Sequence, residues 1–382
     1  MTDSSDTSTD PNSSAAVELI EANGLRVAIF SDSMPERNGA GAYYNDLEVQ
    51  LAPRLGGLEL MQPPKRRRFA LPLPGDSTQK LIFPNLFRII PAFNRLKPHL
   101  VIAVTPGPFG LLGLYLAKRN KIGFMTGFHT HFEGLVQMYG DNLFFRTAFW
   151  YLEFVNKILL RRSDTVLINN EDLTEMVTGL GAPNVDVMGT PLAANFIEDP
   201  LVPHSGGLNR VLFAGRLAPE KNMPVVIEAV KALPDIEFVL AGDGPLRKEM
   251  EAEAEQHSNL RLTGWLDREG LIKEVDASDL LLLPSHMETF GTVALEAMAR
   301  GKPALVAANA GIHTWPSLKE ALFVLEENQN IGTVLEEIRQ LPTETWQQKS
   351  QAATEAARNL NNETIDQWVG FVKQYSRPRK DD

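Results

Sequence analysis

VLFAGRLAPEKN (residues 211–222) and LLLLPSHMETFGTVALEAMARG (residues 280–301) share one plan. In each, a short apolar run stops at a loop that carries charge, and the loop passes into a stretch with helical periodicity. Apolar runs without polar alternation suit strands covered on both faces, and parallel sheets flanked by helices provide that cover. The second stretch brings its own stop signals: Gly301 ends the helix and Pro303 lies beyond it.

Working outward, the pattern recurs along the chain. Strands are predicted at 26–30, 58–61, 81–83, 100–104, 123–126, 165–168 and 185–188, and again at 211–214, 237–241, 260–262, 280–283, 304–306 and 322–324. Pro200, Pro203 and the pair Gly206-Gly207 interrupt the series, so a linker is placed near 197–208. The fold class is α/β, with two doubly wound domains at 25–197 and 208–360. An amphipathic helix at 361–376, offering Ile365, Trp368, Val369, Phe371 and Val372 for packing, is expected to cross back to the first domain.

Composition narrows the function. A chain of 382 residues, 43% of them hydrophobic, exceeds what one compact core organises. Its formal charge of -11 excludes a general nucleic-acid binder, which needs a basic surface. The lack of cysteine excludes disulfides, thiol nucleophiles and thiolate metal sites. Residues 1–24 read as a flexible tail, because the opening MTDSSDTSTDPNSSAA has neither the basic start nor the apolar core of a secretory signal. Residues 100–117 are uncharged, yet Thr105-Pro106-Gly107-Pro108 would break a helix in mid-bilayer. The expectation is a cytoplasmic protein without a membrane span.

The charged loops suggest phosphate chemistry. Arg216 and Lys221 follow a strand's carboxyl end, where open parallel sheets bind ligands, and two cations there can neutralise a departing diphosphate. Alone, they read rather as two solvated surface charges. Glu288 in its loop and Glu296 inside the following helix place two carboxylates beside a helix amino terminus that welcomes phosphate or sugar oxygens. A helix cap for Glu288 and an intrahelical ion pair for Glu296 are the plainer readings. A single ligand shared by both loops accounts for all four residues together.

The Gly-Arg-Leu…Glu-Lys loop and the two acids with seven residues between them resemble the retaining glycosyltransferases of family 4. That family has the GT-B fold, two Rossmann-like domains facing across a cleft, and the resemblance spans most of 25–376. It implies that Arg216 and Lys221 hold the donor diphosphate, that Glu288 and the backbone of Phe290, Gly291, Thr292 and Val293 hold the sugar, and that Glu296 holds the ribose. His129, in the segment GFHTHF (127–132), matches a histidine that orients the transferred sugar. His129, Arg216, Lys221 and Glu288 are thus the catalytic candidates. Gly39 and Gly41, in the loop after the first strand, match a segment facing donor phosphate and acceptor. Gly242, in AGDGP (241–245), resembles the glycine turn beside the nucleotide or is a plain strand-to-helix turn. His131 either lines the acceptor site or is a packed or surface histidine.

No metal is expected. The two histidines have only Glu133 nearby, and no Asp-x-Asp element follows a strand. No cofactor is expected either, the nucleotide-diphosphate sugar being a substrate. The run of Phe-His-Thr-His, Tyr139-Gly140 and an apolar helix over 144–160 looks most like bacterial GDP-mannose-dependent mannosyltransferases and sulfoquinovosyl or other glycolipid synthases. This implies hexose transfer from a donor of GDP-mannose or UDP-glucose type to a membrane lipid, glycolipid or other glycan acceptor. Lys65, Arg66, Arg67 and Arg68 form either a solvated loop or a peripheral contact with the anionic inner face of a membrane. A non-catalytic nucleotide-sugar sensor and a nucleotide-sugar epimerase on the same fold are the alternatives. Two segments depart from the family pattern: GTPLAANF (189–196) stands where Asn-Gly-Val-Asp is common, and NAGIHT (309–314) where a Gly-Gly pair and an acid are common.

Overall fold

The computed structural model describes residues 22–33, 39–64, 71–73, 76–129 and 143–379. In chain order its first strands are β1 (Arg26–Phe30), β2 (Gly57–Met61), β3 (Leu71–Leu73), β4 (Asp76–Leu81), β5 (Leu100–Ala103), β6 (Gly123–Gly127), β7 (Thr165–Ile168) and β8 (Val185–Val187). All but β3 and β4 form a parallel six-stranded sheet in the order β2-β1-β5-β6-β7-β8. A second parallel sheet follows, built from β9 (Arg210–Ala214), β10 (Glu237–Ala241), β11 (Leu260–Gly264), β12 (Leu280–Leu283), β13 (Ala304–Ala307) and β14 (Leu322–Leu325) in the order β11-β10-β9-β12-β13-β14. Non-consecutive neighbours in both orders are the mark of helical crossovers between parallel strands.

The apolar runs form strands because both faces of each sheet are covered. In the first sheet, Val27, Ile29, Leu100 and Ile102 point toward the helix Gly39–Leu51 and the end of the chain, whereas Ala28, Phe30, Val101 and Ala103 point toward the helices Leu86–Leu96, Pro108–Asn120 and Leu143–Arg162. In the second, Leu281 and Leu283 pack against Thr292–Ala299, and Leu280 and Leu282 against Met223–Ala232 and Ile331–Arg339. Residues 100–117 are a strand, a Pro/Gly loop and the start of a helix. Among the described residues no helix is long and apolar enough to cross a membrane.

Two expectations are revised. The run at 81–83 is not a strand of the sheet: Leu81 ends β4, which pairs antiparallel with β3, while Ile82 and Phe83 lie beyond it and Phe83 is exposed. Pro84 follows at once and supplies no amide for a ladder. The closing helix starts at Thr343, not near 361, and runs to Tyr375, a length of about 50 Å. Its first part sets Trp346, Ala353, Ala357 and Leu360 into the cores of the second sheet, and its last part sets Ile365, Trp368 and Val372 into the core of the first. It also fixes the segment that departs from the family pattern. Gly189 donates its amide to Gln367, and a Cβ on Gly189 would sit 1.9 Å from Thr364 Oγ1. Of the expected tail, residues 1–21 lie outside the described residues, and Ala22–Gly24 form a short 3-10 turn.

Candidate active site

Backbone contacts hold the loop after β9 in place. Gly215 donates to Ala241 at 2.9 Å and Leu217 to Asp243 at 3.0 Å, so this loop and the loop after β10 are stitched together. A Cβ on Gly242 would lie 1.8 Å from the Gly215 carbonyl oxygen, which only glycine avoids. The chain then makes a turn at Pro219–Lys221, passes through Asn222 at φ 56°, and enters the helix Met223–Ala232.

This path brings both cations to carboxylates. Arg216 pairs with the buried Glu220, and Lys221 pairs with Glu288 across from the β12 loop. The His286 amide donates to the Glu220 carbonyl at 2.9 Å, tying the two loops together. Glu288 is further placed by a parallel bridge to Ala310 and by the Gly311 amide, 3.0 Å from its carbonyl oxygen. The segment 309–314, which departs from the family pattern, therefore braces Glu288 through its backbone.

Beyond Glu288 the chain turns inward. Phe290 is buried edge-on to Trp315, so its ring belongs to the core, and its carbonyl accepts from the Ile312 amide at 2.7 Å. Gly291, at φ 108°, caps the helix Thr292–Ala299, and a side chain there would be strained and also 2.8 Å from Leu283. Thr292 and Val293 occupy the first turn, whose amides lack intrahelical partners and present a positive dipole end. Glu296 sits one turn deeper and is buried. That burial pushes its carboxyl up to about 8, against the pull of the Arg268 charge and with the added repulsion of Asp46.

The opposing wall comes from the first sheet. His129 follows β6, its Nε2 3.1 Å from the Tyr44 hydroxyl and its ring packed against Tyr43 and Tyr44. A Cβ on Gly127 would lie 2.5 Å from the Tyr44 hydroxyl and 2.7 Å from His129 Nε2, so glycine there makes room for the pair. Burial lowers the His129 pKa to about 4, and the ring is neutral near pH 7. The two walls touch at strand ends: Thr289 donates to the His129 carbonyl at 3.3 Å, Trp315 to the Asn169 carbonyl at 2.9 Å, and Arg268 pairs with Asp46 at 2.5 Å. All these segments follow the carboxyl ends of their strands or lie in or just after the helix that comes next, at the edge where such sheets bind ligands.

Two family models match the chain in succession: Glycosyltransferase Family 4 over residues 18–191 and Glycosyl transferases group 1 over residues 200–360. The chain belongs to glycosyltransferase family 4. Among the relatives of this family 4 chain is the sulfoquinovosyl transferase SQD2 of Arabidopsis thaliana, 26% identical over 245 residues, which are 59% of this chain and 45% of that protein. The chain spans less than half the length of the curated relatives it matches. Its fold, GT-B, is also that of the sucrose-phosphate synthase of Thermosynechococcus elongatus, with a TM-score of 0.67 at 18% identity over 92% of this chain and 98% of that one. The Anabaena protein Alr3699/HepE, solved with UDP and glucose, gives a TM-score of 0.62 at 16% identity over 92% and 99% of the two chains.

In this family 4 chain the structure gathers Arg216, Lys221, Glu288, Phe290, Gly291, Thr292, Val293 and Glu296 around one end of the second sheet, and brings His129 to the Glu288 loop through Thr289. Gly242 meets the Gly215 backbone. Gly39 and Gly41, expected in a loop, open the helix Gly39–Leu51 instead. Lys65, Arg66, Arg67, Arg68 and His131 lie outside the described residues. Among the described residues no group of three or more His, Asp or Glu is arranged to hold a metal ion.

Sequence reasoning missed Glu220, although it stands inside the Gly-Arg-Leu…Glu-Lys loop. It also missed Asp46, Arg268, Tyr43 and Tyr44, which join the site only through tertiary contacts and leave no local signal. Asp32, at the end of β1, serves the framework: it accepts from the Phe109 amide and the Thr105 hydroxyl, both at 2.9 Å. It thereby caps the helix Pro108–Asn120, and burial raises it to about 6.

Proposed function

We propose that this chain transfers a hexose from a nucleoside-diphosphate sugar, with retention at the anomeric carbon, to a membrane lipid or glycolipid. The observation that carries the proposal is the Lys221–Glu288 pair: an ammonium and a carboxylate from adjacent loops hold each other where a donor would lie. Donor binding replaces this pairing. Lys221 and Arg216 turn to the diphosphate, aided by the free amides of the Thr292–Ala299 helix, and Glu288 is released to accept from sugar hydroxyls. Glu296 takes the two ribose hydroxyls.

In this scheme the bond between the anomeric carbon and the diphosphate oxygen breaks as the acceptor oxygen attacks from the same face. The departing phosphate oxygen takes the acceptor's proton. The protein positions the partners and stabilises the leaving group. His129, neutral and beside Tyr44, hydrogen-bonds the sugar; it is too weak a base near pH 7 to take a proton at the start of the reaction. A GDP-mannose or UDP-glucose type of donor and a lipid acceptor follow the resemblance to mannosyltransferases and sulfoquinovosyl synthases.

The test is a donor screen with UDP- and GDP-sugars and a lipid extract, without added metal. Labelled lipid is the expected product, and Lys221→Ala should remove it while the variant still melts cooperatively. Tight donor binding with neither labelled lipid nor free sugar would overturn transfer in favour of a sensor.

A further inference from the structure

Residues 60–132 contain eleven lysines and arginines against a single acid, Asp76, in a chain whose net charge is -11. The charge is therefore segregated, and the structure shows where much of this stretch lies. The helices Leu86–Leu96, Pro108–Asn120 and Leu143–Arg162 cover one face of the first sheet, since Ile89, Phe93, Phe109, Leu116, Val155 and Leu159 share a single core with β1 and β5. What these helices and the segment leading into the first of them turn outward is unusual for a solvated surface. Phe87 is 96% exposed and Phe83 67%, with Leu86 beside them and an open apolar hollow running from Pro84 to Pro91. Farther along the same layer, Trp150 and Phe154 are 65% and 52% exposed and stack on each other at 5.7 Å.

Scattered exposed apolar residues need no explanation, but here they gather on one layer together with exposed Arg88, Lys97, Lys118 and Arg119. Glu153, the one acid on the helix Leu143–Arg162, is already paired with Lys157. Aromatic rings that insert shallowly, on a layer that also carries exposed cations, match the chemistry of an anionic bilayer surface, apolar within and negative at the headgroups. A protein partner would need polar groups to meet a specific pattern, whereas a bilayer asks only for this mixture.

We propose that the outer helix layer of the first sheet, centred on Phe83 and Phe87 and extending to Trp150 and Phe154, docks the chain on an anionic lipid surface. The cations draw the protein to the headgroups and the rings enter below them. The surface gives a physical reason for the lipid acceptor proposed above and rests on that reading only in that respect, because docking needs no donor.

The experiment is co-sedimentation of the full chain with vesicles of phosphatidylcholine alone and of phosphatidylcholine with one part in three of phosphatidylglycerol, with no nucleotide sugar present. Binding to the anionic vesicles only, weakened by salt, is expected, and the double variant Phe83→Ser/Phe87→Ser should bind at least tenfold more weakly with an unchanged melting temperature. Equal binding by wild type and variant, or no binding by wild type, overturns the proposal. So does a wild-type dimer that becomes monomeric in the variant without any vesicle binding, which would assign the patch to a second copy. Vesicle binding with transfer only to soluble sugars would leave the surface standing and remove the lipid acceptor; transfer to detergent-dispersed lipid without vesicle binding would do the reverse.

Discussion

The two walls of the cleft are held by different means. On the second sheet's side the loops are fixed by backbone against backbone: Gly242 against Gly215, Gly311 against Glu288, and Gly291 in a conformation that other residues rarely adopt. On the first sheet's side the site depends on side chains from distant segments, with His129 leaning on Tyr44 and Tyr43, and Tyr43 held in turn by Trp368 of the crossing helix at 2.9 Å. A backbone cannot yield to a new atom, and a ring can. The second sheet's wall is therefore the rigid one, and the opposite wall the adjustable one.

The largest expected effect tests the rigid wall's chemistry. Lys221→Ala should lower the rate of transfer by roughly a hundredfold to a thousandfold, the usual cost of removing one preorganised group from a developing charge. Rates measured with saturating donor would show whether the loss lies in the chemical step or in binding.

The next effect compares two glycines. Gly242→Ala forces a Cβ toward a carbonyl oxygen and should destabilise the chain by about 3 kcal/mol, whereas Gly127→Ala meets only the ends of Tyr44 and His129 and should cost about 1 kcal/mol. Thermal melts of the two variants measure this directly. Equal losses would erase the distinction between the walls.

A smaller effect follows from Glu296. Burial raises its pKa from 4.5 to about 8, so the folded chain keeps a proton that the unfolded chain gives up. Stability associated with that proton is complete below pH 4.5 and is lost as pH rises toward 8. Glu296→Gln should thus match the wild type near pH 4.5 and exceed it by about 1–3 kcal/mol at pH 8, while binding nucleotide more weakly. Denaturant melts at the two pH values, with nucleotide titrations beside them, check both halves. The smallest effect concerns His129: with its pKa near 4, transfer between pH 5.5 and 7 should show no titration from this residue, and a pH–rate profile with a midpoint near 6.5 would contradict its buried placement.

The same contrast explains what could be read from the sequence. The loops of the second sheet were legible because their chemistry is local: the run Leu280–Leu283, the acids behind it and Gly301 all lie within one strand–loop–helix unit. The first part of the crossing helix was not, because Ala353 and Ala357 give a weak apolar signal and gain their meaning only by packing near Ala297 and Met298. The pair β3 and β4 was missed although Pro74-Gly75 between them is a turn signal, since the apolar run at 81–83 drew the reading toward a buried strand. Asp46 and Arg268 are 222 residues apart, and no periodicity or motif reports a contact across such a distance.

The most direct test is calorimetric titration of UDP and GDP into the chain in the presence of a chelator, repeated with Lys221→Ala. Fixed protein cations that receive the diphosphate predict that one of the two nucleotides binds without metal and that the variant loses at least tenfold in affinity. Binding that requires added divalent metal, or that is the same in both proteins, would contradict the assignment.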